Sequence, residues 1–189
     1  MRKIDKNLDN IFDNIFIDIA SLLSPLFKKL GFTPNMITGI NIYCSILCIY
    51  YLHLQNYNYA VIYLLLAYFF DTLDGFYARK YNMETKFGDL LDHYSDYVFY
   101  ICLYYFLLFK LKFKKHNYII IIIIFLTITS LYHLACTEHY TSNDLKINGQ
   151  LKRLKYYCSK KEYINISKYL GPGTFIISIA IILLYCVYE

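Results

Sequence analysis

Phe70 to Tyr97 reads FDTLDGFYARKYNMETKFGDLLDHYSDY. Its four aspartates, Asp71, Asp74, Asp92 and Asp96, stand at the facing ends of two otherwise apolar runs, Tyr59 to Ala78 and Asp89 to Phe109. Each run has about the 20 residues that a helix needs to cross a ~30 Å hydrocarbon core. Carboxylates at membrane depth are costly, so they require cations or polar partners. At ~100° per residue, Asp71 and Asp74 fall roughly 60° apart on a helix, and Asp92 and Asp96 roughly 40° apart, so each pair shares a face. Two such faces meeting across a helix pair make a cluster of hard oxygen donors, suited to Mg²⁺, Mn²⁺ or Ca²⁺ and poorly suited to softer metals.

Working outward, three more apolar runs appear at Asn35 to Leu54, Tyr118 to Ala135 and Thr174 to Val187. A chain of 189 residues that is 58% hydrophobic is too apolar for an ordinary soluble domain. The expectation is an all-α polytopic membrane protein with five to six transmembrane helices. Residues 161 to 170 are too polar to be counted as the sixth. Before the first span, Ile4, Leu8, Ile11, Phe12, Ile15, Ile19, Leu22 and Leu23 recur at helical spacing, with Asp5, Asp9 and Asp13 on another face. This predicts an interfacial amphipathic helix within residues 1–30, ahead of a membrane domain over residues 31–189. Gly31 and Pro34 separate the two, and Asn35 is placed to cap the first span.

Threading the chain through five spans puts fifteen of its nineteen Lys and Arg residues on one side, leaving Lys110, Lys112, Lys114 and Lys115 on the other. The positive-inside rule then puts the acidic ends of the second and third spans at the cytosolic face. The basic loop at 146 to 161 reads as a solvated segment facing anionic lipid, with no need for nucleic acid as a partner. The first 24 residues carry acids throughout, unlike a cleavable signal peptide. The six cysteines are scattered without a C-x-x-C pair and read as small buried hydrophobes. Many of the 23 tyrosines, such as Tyr50, Tyr51, Tyr57 and Tyr59, sit at span ends, as an aromatic belt does.

Arg79 is the available cation next to the acids, too little for four carboxylates, whereas two divalent ions balance them. Its planar fork of donors suits a phosphate. Gly75 and Gly88 lie beside the acids, where a missing side chain lets a ligand approach the backbone. A metal pair, a phosphate donor and glycine gaps together point to transfer at a diphosphate.

Asp71-x-x-Asp74-Gly75-x-x-Ala78-Arg79, eight residues, then Gly88-x-x-x-Asp92-x-x-x-Asp96, resembles the full motif of the CDP-alcohol phosphotransferase (CDP-alcohol phosphatidyltransferase) family in order and spacing. The resemblance implies that Asp71, Asp74 and Asp92 bind one metal and Asp71, Asp92 and Asp96 a second, the ions being Mg²⁺ or Mn²⁺. It implies that Asp96 is the catalytic general base, and that Gly75, Ala78, Arg79 and Gly88 hold the CDP moiety of the donor. Thr85 falls where relatives often place a donor-side Ser or Thr. Pro34-Asn35-x-x-Thr38 is similar to the family's P-N-x-x-T element, which adds Asn35 and Thr38 to the donor site.

The implied activity belongs to phospholipid biosynthesis: a substituted phosphate passes from a CDP-linked donor, CDP-diacylglycerol favoured, to an alcohol acceptor, and CMP leaves. The alternative donor is CDP-choline or CDP-ethanolamine with diacylglycerol as acceptor, since His93 after Asp92 is similar to an Asp-His pair of that branch. A reading from another class is a divalent-cation channel; it requires acids along a pore axis, whereas all four stand at one end. Relatives are often homodimers, which makes self-association an expectation here as well.

Overall fold

The computed structural model describes residues 2–110, 117–141, 158 and 161–185. Among them the regular elements are all helical. Helix α1 spans Ile11–Lys29, so it starts and ends later than the hydrophobic periodicity over residues 4 to 23 predicts. Asn10 sets the start: its side-chain oxygen accepts from the backbone N–H groups of Phe12 (3.0 Å) and Asp13 (3.4 Å). Gly31 sets the end in the left-handed region at φ 78°. The Gly31 N–H bonds the Lys28 carbonyl and the Phe32 N–H the Phe27 carbonyl, a double closure that uses up orphan carbonyls.

Helix α2 spans Pro34–His53, and its cap is Thr33 rather than Asn35. The Thr33 hydroxyl accepts from the Met36 N–H at 3.3 Å, and Pro34 takes the first helical position, where a missing N–H costs nothing. Asn35 is thereby left free for another contact. Helix α3 spans Tyr57–Lys80 and packs along α2 as an antiparallel hairpin. At the hairpin end Tyr51 stacks on Tyr63 with centroids 5.4 Å apart. Helix α4 spans Lys86–Tyr105, begins at a Thr85 cap that accepts from the Gly88 N–H at 3.0 Å, and continues as a π-helical turn over Phe106–Lys110.

Helix α5 covers Asn117–Thr141, and α6 covers Lys161–Ser167; a 3-10 turn at Lys168–Leu170 leads from α6 into α7, Pro172–Tyr185. Four helical stretches among the described residues are long and apolar enough to cross a membrane: Pro34–His53, Tyr57–Lys80, Tyr118–Thr137 and Glu162–Tyr185. The last takes in the polar segment expected to lie outside the membrane. The expected span at Asp89 to Phe109 is not one of the four, because Asp89, Asp92 and Asp96 lie within α4. The acids that mark the site are the same residues that weaken its helix as a hydrophobic span.

Leu64, Leu103, Leu107, Ile123, Ile176, Ile179 and Leu183 form the main core, joining α3, α4, the π-helical turn, α5 and α7. A second cluster of Ala20, Ile37, Leu73, Phe76 and Tyr77 seats α1 on α2 and α3. Outward-facing Ile46, Ile62, Ile121, Phe125, Ile128 and Ile181 give the spans a surface suited to hydrocarbon. In such a medium, close packing and internal hydrogen bonds hold helices together more than hydrophobic burial does. Cys136 and Cys158 form a disulfide beside Ile164, unlike the isolated apolar cysteines expected, whereas Cys44 and Cys48 are buried free thiols. Cys186 and nearly all of the basic loop at 146 to 161 lie outside the described residues.

Candidate active site

Three helix ends meet at the acids. Asp71, Asp74 and Arg79 occupy the last turns of α3, Gly88, Asp92 and Asp96 the first turns of α4, and Asn35, Thr38 and Asn41 the first turns of α2. The short connection at 81–85, in which the Met83 N–H bonds the Ala78 carbonyl at 2.9 Å, lets α4 start next to the end of α3.

Asp71, Asp74 and Asp92 each offer a carboxylate oxygen within 4.8 Å of the others. Asp74 is only 4% exposed, and its Oδ2 accepts from the Thr38 hydroxyl at 2.6 Å. The carboxyls of Asp71 and Asp92 share a hydrogen bond, while Asp92 Oδ1 is buried without a partner. Were the carboxyls all ionised, two like charges ~4 Å apart would repel by ~4 kcal/mol at an effective dielectric constant of 20, so without cations they must share protons, and an orphaned buried acceptor adds desolvation cost. A cluster of hard oxygen donors with one lone pair left unmet is what a divalent cation fits. Asp96 is not in that group of three. It bonds Asn41 and, with Asp71, lines a chamber one turn deeper, together with Tyr68 and Tyr100.

The expected donor residues surround the mouth. Arg79 folds back over Gly75, where a Cβ would lie 3.2 Å from its guanidinium, and it feels the charges of Glu84, Asp74, Asp92 and Asp71. A Cβ on Gly88 would meet Asn35 Oδ1 at 2.7 Å and Thr85 Oγ1 at 3.0 Å. Each glycine thus has side chains of the chain itself as near neighbours, Arg79 at Gly75 and Asn35 with Thr85 at Gly88. Asn35, released from capping, stands beside Gly88 at the start of α4. His93 is exposed and faces its own helix, with Nδ1 2.7 Å from the Asp89 carbonyl oxygen, and Asp89 is the first-turn acid expected from the helix dipole.

Sequence reasoning missed Asn41, Tyr68, Tyr100 and Asp13. Asn41 carried a signal, a polar side chain inside an apolar span one turn after Thr38. Asp13 was expected on the polar face of α1, but its carboxyl turns inward to accept from the Tyr68 hydroxyl and from the Gly173 N–H. The residue as a whole is half-buried, and its carboxyl has a pKa pushed up to about 7. Burial is the main cause, neighbouring Asp9 adds to it, and the two hydrogen bonds oppose it.

The chain belongs to the CDP-alcohol phosphatidyltransferase family, whose match runs over residues 31–188. Members of that family pair a CDP-linked donor with an alcohol acceptor and use divalent metals; with four apolar helices, this chain is a multi-pass membrane protein. It is 36% identical over 66 residues to the CDP-diacylglycerol–glycerol-3-phosphate 3-phosphatidyltransferase of Aquifex aeolicus, covering 35% of this chain and 37% of that one. It is 42% identical over 68 residues to the archaetidylinositol phosphate synthase of Pyrococcus horikoshii, covering 36% of each. It is 27% identical over 152 residues to the CDP-diacylglycerol–inositol 3-phosphatidyltransferase of Schizosaccharomyces pombe, covering 74% of this chain and 63% of that one. The matched stretches therefore span 36% to 63% of these relatives' own lengths. No solved structure matches the chain.

Proposed function

We propose that this chain is a phosphatidyltransferase of phospholipid biosynthesis, taking CDP-diacylglycerol as donor and a small polar alcohol such as glycerol phosphate, inositol or serine as acceptor. The observation that carries the reading is the convergence of Asp71, Asp74 and Asp92 beside Arg79 in a member of this family. The preference for CDP-diacylglycerol draws support from relatives named for that donor. Asp71, Asp74, Asp92 and Asp96 would hold two divalent ions, Mg²⁺ or Mn²⁺, which when bound supply positive charge at the donor diphosphate.

The chain's own residues do the rest. Arg79 offers its guanidinium to a phosphate, and Asn35, Thr38, Gly75, Ala78, Thr85 and Gly88 shape the donor side. Thr38 holds Asp74 by its hydroxyl, so that the carboxylate does not have to find its orientation during the reaction. Asp96 takes the proton of the acceptor hydroxyl. A new bond forms from that oxygen to the phosphorus nearer the diacylglycerol, the diphosphate P–O bond breaks, and CMP leaves with the electron pair. We assign residues 1–30 to an interfacial segment and 31–189 to the transferase domain, with the acidic mouth facing the cytosol, on the strength of the basic-residue asymmetry. Self-association as a homodimer belongs to the same proposal.

Purified protein in detergent, given CDP-diacylglycerol with a panel of those three alcohols and Mg²⁺ or Mn²⁺, is expected to release CMP with at least one of them. No release with any alcohol, or release that ignores the metal, overturns the reading. The channel reading gains from neither the position of the acids at one helix end nor their closeness, and cation flux into vesicles without CMP release is what would restore it.

A further inference from the structure

The chamber behind the acids is walled partly by a helix that carries none of them. Tyr68 stands one turn before Asp71 on α3, and Asp96 one turn after Asp92 on α4. At ~1.5 Å per residue Tyr68 therefore lies about 4.5 Å beyond Asp71 along its helix, and Asp96 about 6 Å beyond Asp92. The chamber they line with Asn41, Asp71, Tyr100 and Ile176 has room for about one water-sized group. That is the size of an attacking hydroxyl, and the donor residues Asn35, Thr38, Gly75 and Arg79 are all nearer the mouth.

Two residues one turn apart on α1 fix the Tyr68 ring in this wall. The Asp13 carboxylate accepts from its hydroxyl, and Phe16 meets its ring edge-on with centroids 5.2 Å apart. α1 is in turn locked to the start of α7. Asn10 Nδ2 donates to the Lys168 carbonyl (2.5 Å) and the Thr174 hydroxyl (2.8 Å), and the Gly173 N–H bonds Asp13. A Cβ on Gly173 would sit 2.3 Å from Asp13 Oδ1, so the clasp closes only over glycine. Ile176, a wall residue of the chamber, follows on the same turn of α7.

We propose that Asp13 and Tyr68 form a positioning pair for the acceptor, through which the N-terminal helix sets the wall that the acceptor hydroxyl meets beside Asp96. This rests on the transferase reading and extends it to a segment outside the 31–188 family match. Asp13 touches no reacting atom; it acts by holding Tyr68. One well-placed hydrogen bond corresponds to about a tenfold effect on binding or rate.

The test is a kinetic comparison in detergent with CDP-diacylglycerol and whichever of glycerol phosphate, inositol or serine the unmodified protein uses. Tyr68→Phe and Asp13→Ala are each expected to lower kcat/KM for the acceptor about tenfold while the donor KM stays within about twofold. Asp13→Asn, whose amide oxygen still accepts from Tyr68, is expected to recover most of that loss. The double variant Asp13→Ala/Tyr68→Phe should be no worse than the poorer single one, as for two residues acting as a unit. Donor and acceptor constants rising together, losses that multiply in the double variant, or three single variants indistinguishable from the unmodified protein overturn the inference. If Asp13→Ala does not fold, Tyr68→Phe decides alone, because it keeps the packed ring. Absence of CMP release from the unmodified protein overturns the transferase reading and this inference with it; release with unmoved acceptor constants overturns the inference only.

Discussion

At the junction of α1 and α7, the Asp13 carboxyl is enclosed and answered by protein donors, a phenol hydroxyl and a backbone N–H. Between α3 and α4, Asp71, Asp74 and Asp92 are also drawn inward, yet they face one another, with Thr38 serving Asp74 and one Asp92 oxygen left unmet. The first arrangement is complete with the chain alone. The second is electrostatically unfinished, and its deficit is positive charge. A carboxylate's burial therefore says little about its role until its partners are counted: one met by protein donors joins helices, and several crowded together with an oxygen left unmet call for ligand cations.

The contrast breaks first, and by the largest margin, at the unfinished cluster. Asp92→Asn is expected to lower CMP release about 10³-fold or more, and Asp96→Asn by about 10² to 10⁴, the usual worth of a general base. Retention of nucleotide binding by Asp96→Asn, measured by titration with CMP, sharpens its assignment as base, whereas unchanged turnover removes it. Chelation with EDTA comes next. It should abolish activity, with recovery on adding Mg²⁺ or Mn²⁺, and a saturating metal at about 100 times its Kd should stabilise the protein by ~2.7 kcal/mol in thermal melting. In Asp71→Asn/Asp92→Asn that stabilisation should vanish.

At the finished site the effects are smaller and act on stability. Gly173→Ala forces a methyl group against Asp13 and Asn10 and should cost about 1–3 kcal/mol, read as a lower melting temperature. The same site should also give a pH slope in stability. Asp13 has a folded pKa of about 7 against an ordinary 3.8, so between those values the unfolded chain releases a proton that the folded one keeps. Stability from this group is thus full below about pH 3.8, falls as pH rises towards 7 and is level above it. Melting temperatures of Asp13→Asn should decline less than those of the unmodified protein over that range, and an identical decline would mean that the carboxyl is solvated.

Much of the site was legible because helical periodicity acts within an element. Asp71 with Asp74, and Asp92 with Asp96, share faces by spacing alone, and the eight fixed positions with their intervening lengths identified the family. Charge patterning and apolar runs likewise announced a helical membrane protein. The start of α2 was harder, since Thr33 and Asn35 are both able caps; the folded chain uses Thr33 and leaves Asn35 beside Gly88, a neighbour that only tertiary packing provides. α4 was expected to be a span on the length of its apolar run, and its own acids keep it from the apolarity of the other four.

The sequence by itself determined the family, the residues of the acidic motif and the helices that carry them, because spacing along one helix converts directly into direction. Only the tertiary structure decided that three of the four aspartates crowd together while Asp96 lines the chamber beneath, that Asp13 turns inward to Tyr68 and Gly173, and that Cys136 pairs with Cys158. These contacts join segments far apart in the chain. Their partners are chosen by how whole helices pack, and local periodicity does not encode that choice.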